Sequence, residues 1–309
     1  MAFSMVPLSV GRRVIRFAGV AVSLIVSGLP ATACSPSPAG SAVADATPPA
    51  ISASPTPPAS GYDGLARLPL SAYGTSDQDD DLLFRTRKSL VVRCMKGRGN
   101  QTYSGQNMTR VAAKSIGENE AVRPAGAWGY IGRATAKSKG FHIGVAPPGE
   151  TGAATGYSQK DFGVCSAEAD KQLPSLANTD GWKLTRALFG QSFQQADDDQ
   201  RVAAARKRWS TCMTAAGHPS QDPQELAAGP WSTAQPTANE IAAATAAESC
   251  TDSSRLAAVY FAVLAGYQRQ LISANSATLS AYQKQVTENT KQAALLLAES
   301  SRSPKLPST

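Results

Sequence analysis

The placement of five cysteines constrains the fold of this 309-residue chain more than any other feature. Cys34 stands near the start, behind a basic and apolar leader, and the other four lie far downstream: Cys94, Cys165, Cys212 and Cys250. An odd cysteine in an exported chain implies that one thiol has a separate use. If Cys34 has that use, the remaining four can form two disulfides in an oxidising compartment.

Residues 1–33 have the features of a signal peptide. Arg12, Arg13 and Arg16 form its positive start, and the run from Phe17 to Leu29 is too short to span a bilayer core. Small residues permit cleavage before Cys34, and the segment resembles the lipobox of bacterial lipoproteins, whose cysteine thiol receives a diacylglyceryl group. We therefore expect a lipid (diacylglyceryl with a palmitate-type acyl chain) on Cys34 and an anchor at the outer face of the cytoplasmic membrane. The alternative is ordinary cleavage and a secreted soluble protein.

Residues 34–72 are predicted to be the lipidated cysteine and a disordered linker. Seven prolines lie between Ser35 and Gly61, where Val43 and Ile51 are the only large aliphatic residues. Such a segment cannot bury a core, and its prolines favour a polyproline-like spacer of up to roughly 80 Å. The linker is therefore expected to hold the folded part away from the membrane.

The rest of the chain is predicted to be an all-α domain spanning residues 73–301, with a disordered tail at 302–309. Charged residues make up only 17% of the chain, and alanine is abundant. This composition is typical of a helical protein with a core and not of a disordered one. Ser76 is placed to cap the first helix, because acidic residues follow it at once and basic residues come later.

Two predicted helices end in the same pattern, Cys-Met-x-x-x-Gly. Cys94-Met95 precedes Gly99, and Cys212-Met213 precedes Gly217. The pattern predicts a buried methionine and a left-handed glycine cap. Four cysteines allow three pairings, of which we favour Cys94 with Cys165 and Cys212 with Cys250, since each pair closes a loop beside its own helix. A zinc site is the competitor, but no CxxC spacing supports it, so no metal or other cofactor is expected.

The C-terminal region is predicted to be one long helix over residues 252–301. It contains no proline before Ser301 and a single glycine, Gly266, where a bend is expected. At 1.5 Å per residue this helix would be roughly 70 Å long. Beyond Tyr282 its apolar stripe thins, so we expect the distal part to project, and deletion of residues 287–309 to lower the melting temperature only slightly.

Residues 82–142 contain 12 lysines and arginines, with Glu118 and Glu120 as the only acids. This excess predicts contact with an anionic cell-wall polymer or with lipid headgroups, or else a solvated surface without a partner. An envelope protein is the other candidate partner, and nucleic acid is not expected.

Catalytic patterns are weak in this sequence. The only histidines are His142 and His218, and both are predicted to be turn or surface residues. The acidic residues cluster at helix starts, where capping explains them. A binding or scaffolding module is therefore the favoured interpretation, and a hydrolase acting on cell-envelope material is the alternative.

The sequence resembles a group of uncharacterised actinobacterial secreted proteins and predicted lipoproteins. The likeness covers most of residues 80–280 and departs from the group at Asn100 and His218, where an aromatic residue is common. It implies an address and a fold, and it assigns no catalytic residue. Besides the two Cys-Met-x-x-x-Gly helices, it rests on Tyr130-Ile131-Gly132, Gly140-Phe141, Trp209-Ser210-Thr211-Cys212, Glu248-Ser249-Cys250, Tyr267-Gln268, Leu271-Ile272 and Asn275.

Overall fold

The computed structural model describes residues 47–108, 128–142, 156–231 and 235–302. The predicted signal peptide, Cys34, the first part of the linker and the tail from residue 303 lie outside these ranges. Within them the regular structure is helical, which confirms the all-α prediction. The helices are α1 Gly61–Ala66, α2 Asp77–Gly97, α3 Arg133–Lys139, α4 Gln159–Gln172, α5 Asp180–Asp197, α6 Gln200–Ala215, α7 Pro223–Ala227, α8 Ala238–Ser254, α9 Leu256–Ala274 and α10 Ser276–Arg302, with a 3₁₀ turn at Pro69–Ala72.

Two disulfides each join a pair of helices. Cys94 of α2 is bonded to Cys165 of α4, and Cys212 of α6 to Cys250 of α8, with Cα atoms 5.6 Å apart in both pairs. This is the pairing favoured from the sequence. Each disulfide borders its own cluster of buried side chains, one around α2 and α4 and the other around α6 and α8.

The two Cys-Met-x-x-x-Gly helices end as predicted. Gly99 and Gly217 have φ values of +91° and +79°, the left-handed conformation that suits glycine. The amide that follows each glycine donates back to the methionine carbonyl, at 3.0 Å in both helices. Met95 and Met213 themselves are fully buried.

The packed domain begins earlier than residue 73. The predicted linker includes α1 and the 3₁₀ turn, and Leu65, Leu68 and Leu70 there are buried. The Leu70 amide also donates to Oε1 of the buried Gln268, at 3.0 Å. The boundary at residue 73 is therefore wrong, because three closely spaced leucines bury enough apolar area to dock a segment whose neighbours are rich in proline.

The region 252–301 is divided among three helices. The prediction of a long C-terminal helix is confirmed by the 27 residues of α10. The helix is interrupted at Arg255, which has a left-handed φ of +60°, and again at Asn275. It is not interrupted at Gly266. Gly266 lies within α9, where a Cβ would come 2.5 Å from Cβ of Pro49. That glycine therefore makes room for a neighbouring segment, and the expected bend is wrong.

The distal part of α10 packs against α2 and does not project. Val286, Ala293 and Leu296 are buried, with 2%, 0% and 9% of their surface exposed. The Thr86 hydroxyl of α2 donates to the Ala293 carbonyl at 3.1 Å, in a buried position. The expected projection is wrong because α2, about 200 residues earlier in the chain, supplies a facing apolar surface, so that even a thin stripe is covered.

Candidate functional site

A cleft of about 200 Å³ opens between α2, the connection from α4 to α5, and α10. Helix α2 contributes Asp80, Leu83, Phe84 and Arg87 to its lining. These positions are separated by three, one and three residues, which places all four side chains on one face of a helix. The sequence of α2 thus forms one wall of the cleft by itself.

The polar groups of the cleft come from three elements. The Arg87 guanidinium of α2 binds both carboxylate oxygens of Asp170, with Nη2 at 3.3 Å from Oδ2 and the closer Nη1 on Oδ1. Burial lowers the pKa of Arg87. Asn289 of α10 donates to the Pro174 carbonyl at 2.9 Å. The two-point ion pair fixes the positions of an arginine and an acid on the wall of the cleft.

Asp80 is the most buried charged residue of the cleft. Only 4% of its surface is exposed, and its Oδ1 accepts from the Thr75 hydroxyl at 2.5 Å. The cleft therefore contains two carboxylates and one guanidinium, of which the guanidinium is already engaged by Asp170. This balance favours a ligand that donates hydrogen bonds over an anion.

The rest of the lining is apolar. It comprises Leu83, Phe84, Leu173, Pro174 and Leu176, with Ser175 among them. A volume of about 200 Å³ is below the usual range for drug-sized ligands, roughly 300–1,000 Å³. The cleft therefore fits a small molecule, or one unit of a polymer, that has both an apolar and a polar side.

A second cavity, of about 30 Å³, is bordered by Tyr130, Arg206, Asp222 and Tyr260. This volume corresponds to one or two water molecules. Burial raises the pKa of the Tyr260 phenol well above its usual range. The cavity is too small for an organic ligand, and we assign it no binding role.

The histidines do not line the cleft. His142 follows α3 with 11% of its side chain exposed, and its Nδ1 lies 4.0 Å from Oε1 of the fully buried Glu240. This residue is therefore more buried than the surface position expected from the sequence. His218 lies in the turn after α6, as expected, where its amide caps the helix through the Met213 carbonyl.

The basic stretch 82–142 is partly neutralised by the fold. Nine of its 12 cations lie in the described residues, and several have carboxylate partners. Arg85 pairs with Asp81 on the same helix, whereas the other pairs join separate elements. Those pairs are Arg87 with Asp170, Arg98 with Asp161 and Glu168, and Arg133 with Asp252.

Sequence reasoning did not identify the residues of the cleft. The sequence places Asp80 and Arg87 in the acidic start and basic continuation of a helix, and it gives no reason to single out Asp170 or Asn289. Arg87 and Asp170 are 83 residues apart, and no spacing rule brings them together. A face of α2 that carries Asp, Phe and Arg at helical spacing was the one signal available.

The predicted lipid site at Cys34 lies outside the described residues. Among the residues that the structure covers, no helix is both long and apolar enough to cross a membrane. The same residues contain no cluster of three or more His, Cys, Asp or Glu side chains suited to a metal ion. Comparison with models of protein families, with curated proteins and with solved structures finds no match to this chain.

Proposed function

We propose that this chain is a lipid-anchored binding module at the outer face of the cytoplasmic membrane, with its ligand site in the cleft beside α2. The observation that carries the proposal is the amphipathic cleft, in which an arginine and an acid are held in a two-point ion pair above an apolar floor. The proposed location is supported by the leader, by Cys34 and by the proline-rich segment.

The lining favours a small ligand with hydroxyl or amino donors. The cleft contains the two carboxylates of Asp80 and Asp170 and the one guanidinium of Arg87, which is paired with Asp170, so its net negative charge would repel an anionic group. The apolar body of such a ligand would cover Phe84 and Leu173. A single hydroxyl-bearing or amine-bearing unit of an envelope polymer has this chemistry and this size.

A hydrolase is the second candidate. The proximity of His142 to the buried Glu240, at 4.0 Å, supports it, since a carboxylate beside an imidazole can orient a general base. The cleft, however, includes neither residue. Release of reducing ends from cell-wall material, lost in His142→Ala, would favour this candidate over a binding module.

Binding can be tested with three small probes that differ in charge: N-acetylglucosamine, ethanolamine and glycerol phosphate. We expect one of the first two to shift the NMR signals of the cleft residues, and glycerol phosphate to leave them unchanged. Asp170→Asn should weaken that binding by about tenfold or more, because it removes a charged acceptor. Asp81→Asn is the matched control, since Asp81 pairs with Arg85 on the same helix and does not line the cleft.

Equal effects of the two substitutions, or preferential binding of glycerol phosphate, would contradict the cleft assignment.

The proposed location at the membrane is tested separately. Cys34→Ser should move the protein from the membrane fraction to the medium, because acyl chains contribute about 0.8 kcal/mol for each buried methylene. Ser35→Ala should leave the protein in the membrane fraction, and sedimentation of the Cys34→Ser variant with membranes would refute the anchor.

A further inference from the structure

Residues 47–60, which belong to the predicted linker, lie along the helical domain. We call this segment the proline strap. Pro49 is buried against Gly266 of α9, whose lack of a side chain permits the contact. The Pro49 carbonyl accepts from Nη1 of Arg201 at 2.8 Å, and the Thr47 carbonyl accepts from Nε2 of Gln270 at 3.1 Å. The N-terminal end of the strap is therefore bound to α6 and α9.

The C-terminal end of the strap is held by one turn, residues 128–132. The Tyr130 hydroxyl donates to the Pro58 carbonyl at 2.9 Å, and the Tyr130 carbonyl accepts from the Gly61 amide at 2.5 Å. Gly132 passes so near the strap that a Cβ there would lie 3.1 Å from the Ala59 carbonyl oxygen. Displacement of this turn would thus remove the contacts that fix the end of the strap.

Glu248 of α8 holds the turn of residues 128–132 in place. Its carboxyl oxygen Oε1 accepts from the amides of Ile131 and Gly132, at 2.9 and 3.0 Å. Only 2% of Glu248 is exposed. Its Oε2 is also buried and has no hydrogen-bond partner among the described residues. A buried carboxyl group with one satisfied and one unsatisfied oxygen is costly in its ionised form.

The charges around Glu248 do not compensate for this burial. Asp252 lies one turn further along α8, and its own cation, Arg133, begins α3. The Tyr130 phenol is the remaining titratable group of the turn. Burial is the main cause that raises the pKa of Glu248 to about 7, with Asp252 adding to it, while the two amides and Arg133 oppose the shift.

Helix α6, which packs along α8, adds no carboxylate at this level. Its Trp209 indole donates to the carbonyl of Ala247, next to Glu248, at 3.3 Å. Its Arg208 reaches the Ser254 carbonyl at the end of α8, at 3.0 Å. The strap contributes only proline, alanine, serine and threonine near this point. The environment of Glu248 is therefore set by Asp252, Arg133 and Tyr130.

We propose that Glu248 is a latch for the proline strap: its neutral carboxyl group holds the 128–132 turn and the end of the strap, and its ionisation loosens both. The chain of contacts runs from Glu248 to the amides of residues 131 and 132, and from Tyr130 to Pro58 and Gly61. No other buried carboxyl group in the described residues bonds to this turn.

The direction of the effect follows from linkage. The closed state binds the Glu248 proton more tightly than an opened state in which the carboxyl group is hydrated and has its ordinary pKa of 4.5. Opening therefore becomes easier as the pH rises from about 4.5 to about 7, and it changes little outside that window. Asp199 and Asp161 have lowered pKa values, so their contributions change only at more acid pH.

The effect of strap release on the distance between the domain and the membrane depends on the proposed lipid anchor. Residues 35–46 separate Cys34 from the strap, and a chain of 12 residues can reach at most about 40 Å. Release of the 14 residues of the strap would add about 40 Å more. Loosening of the C-terminal end alone leaves the contacts of Thr47 and Pro49 with α9 and α6 in place, so the extra reach requires those contacts to break as well.

Hydrogen exchange on the full-length protein tests the latch without reference to the anchor. The reporters are the amides of Gly61, Ile131 and Gly132, compared as protection factors at about pH 5 and about pH 8. We expect protection to fall on the order of a hundredfold between the two in the native protein. Glu248→Gln, which is neutral at both, should keep the same protection within about threefold. Glu299→Gln, on the exposed side of α10, should behave like the native protein.

Two results would overturn the proposal: protection that does not change with pH in the native protein, and an equal fall in the Glu248→Gln variant. If that variant fails to fold, the carboxyl carbon signal of Glu248 in the native protein provides the second measurement. Its titration midpoint must agree within about one pH unit with the pH at which protection stops falling. Disagreement would show that another group controls the turn. Loss of the membrane anchor in Cys34→Ser leaves this result unaffected.

Discussion

The contact between α5 and α10 can be tested with one methyl group. Gly181 lies in the first turn of α5 and is buried where this helix meets α10. A Cβ at Gly181 would lie 2.4 Å from Cβ and 2.5 Å from Cγ of Tyr282. Tyr282 cannot easily move away, because only 1% of its surface is exposed. The same burial raises the pKa of its phenol to about 12. Gly181→Ala must therefore push the two helices apart.

The same helix contains a matched control. Gly190 also lies within α5, but it is exposed, and a Cβ there would have no neighbour within 4 Å. Overpacking costs about 1–3 kcal/mol, and alanine gains up to about 1 kcal/mol over glycine in a helix. We therefore expect Gly181→Ala to lower the free energy of unfolding by about 1–2 kcal/mol, and Gly190→Ala to raise it by about 0.5–1 kcal/mol.

Urea denaturation followed by circular dichroism measures both changes. The expected difference of about 1.5–3 kcal/mol corresponds to roughly 3–12 °C in melting temperature for a domain of this size. The opposite signs decide the result, because both substitutions add the same methyl group to the same helix. Stabilisation by both variants would refute the close approach of α5 and α10.

Three further predictions concern the packing of the chain ends and the disulfides. Deletion of residues 287–309 should unfold the α2–α4 region, since it removes the buried Ala293 and Leu296, and a native-like melting curve would contradict this. Gly266→Ala should displace Pro49 and raise proteolysis and exchange in the strap with little loss of helix signal, whereas unchanged protection would show that the strap is not seated there. Replacing both Cys94 and Cys165 by serine should cost up to about 4 kcal/mol and leave Cys212 bonded to Cys250 in a non-reducing peptide map.

Local signals predicted the start of α2 and the glycine ends of α2 and α6. Ser76 caps α2 in a reciprocal capping box with Asp79, and Thr237 does the same for α8 with Glu240. The glycines at 99 and 217 take the left-handed conformation expected of them. These features depend on hydrogen bonds within three or four residues, so the sequence determines them without reference to the rest of the fold.

The candidate site was not predictable in this way. Taken one at a time, its polar residues are explained by helix ends and surface charge. They form a cleft only because α4 and α10 pack against α2. The same holds for Glu248, which lies in an alanine-rich helix that shows no local reason for a buried acid. Its partners at residues 131 and 132 lie more than 100 residues earlier.

The sequence by itself determined the helical class and the caps that end the helices, because these follow from composition and near neighbours. It favoured one of three possible cysteine pairings, and the fold brings the two cysteines of each favoured pair together. Tertiary structure alone decided where the domain begins, that α10 packs along its length, and that Gly266 accommodates Pro49 and does not bend a helix. The physical reason is that burial depends on what faces a residue. A proline-rich strap or a thin apolar stripe is covered only when a distant segment supplies the complementary surface.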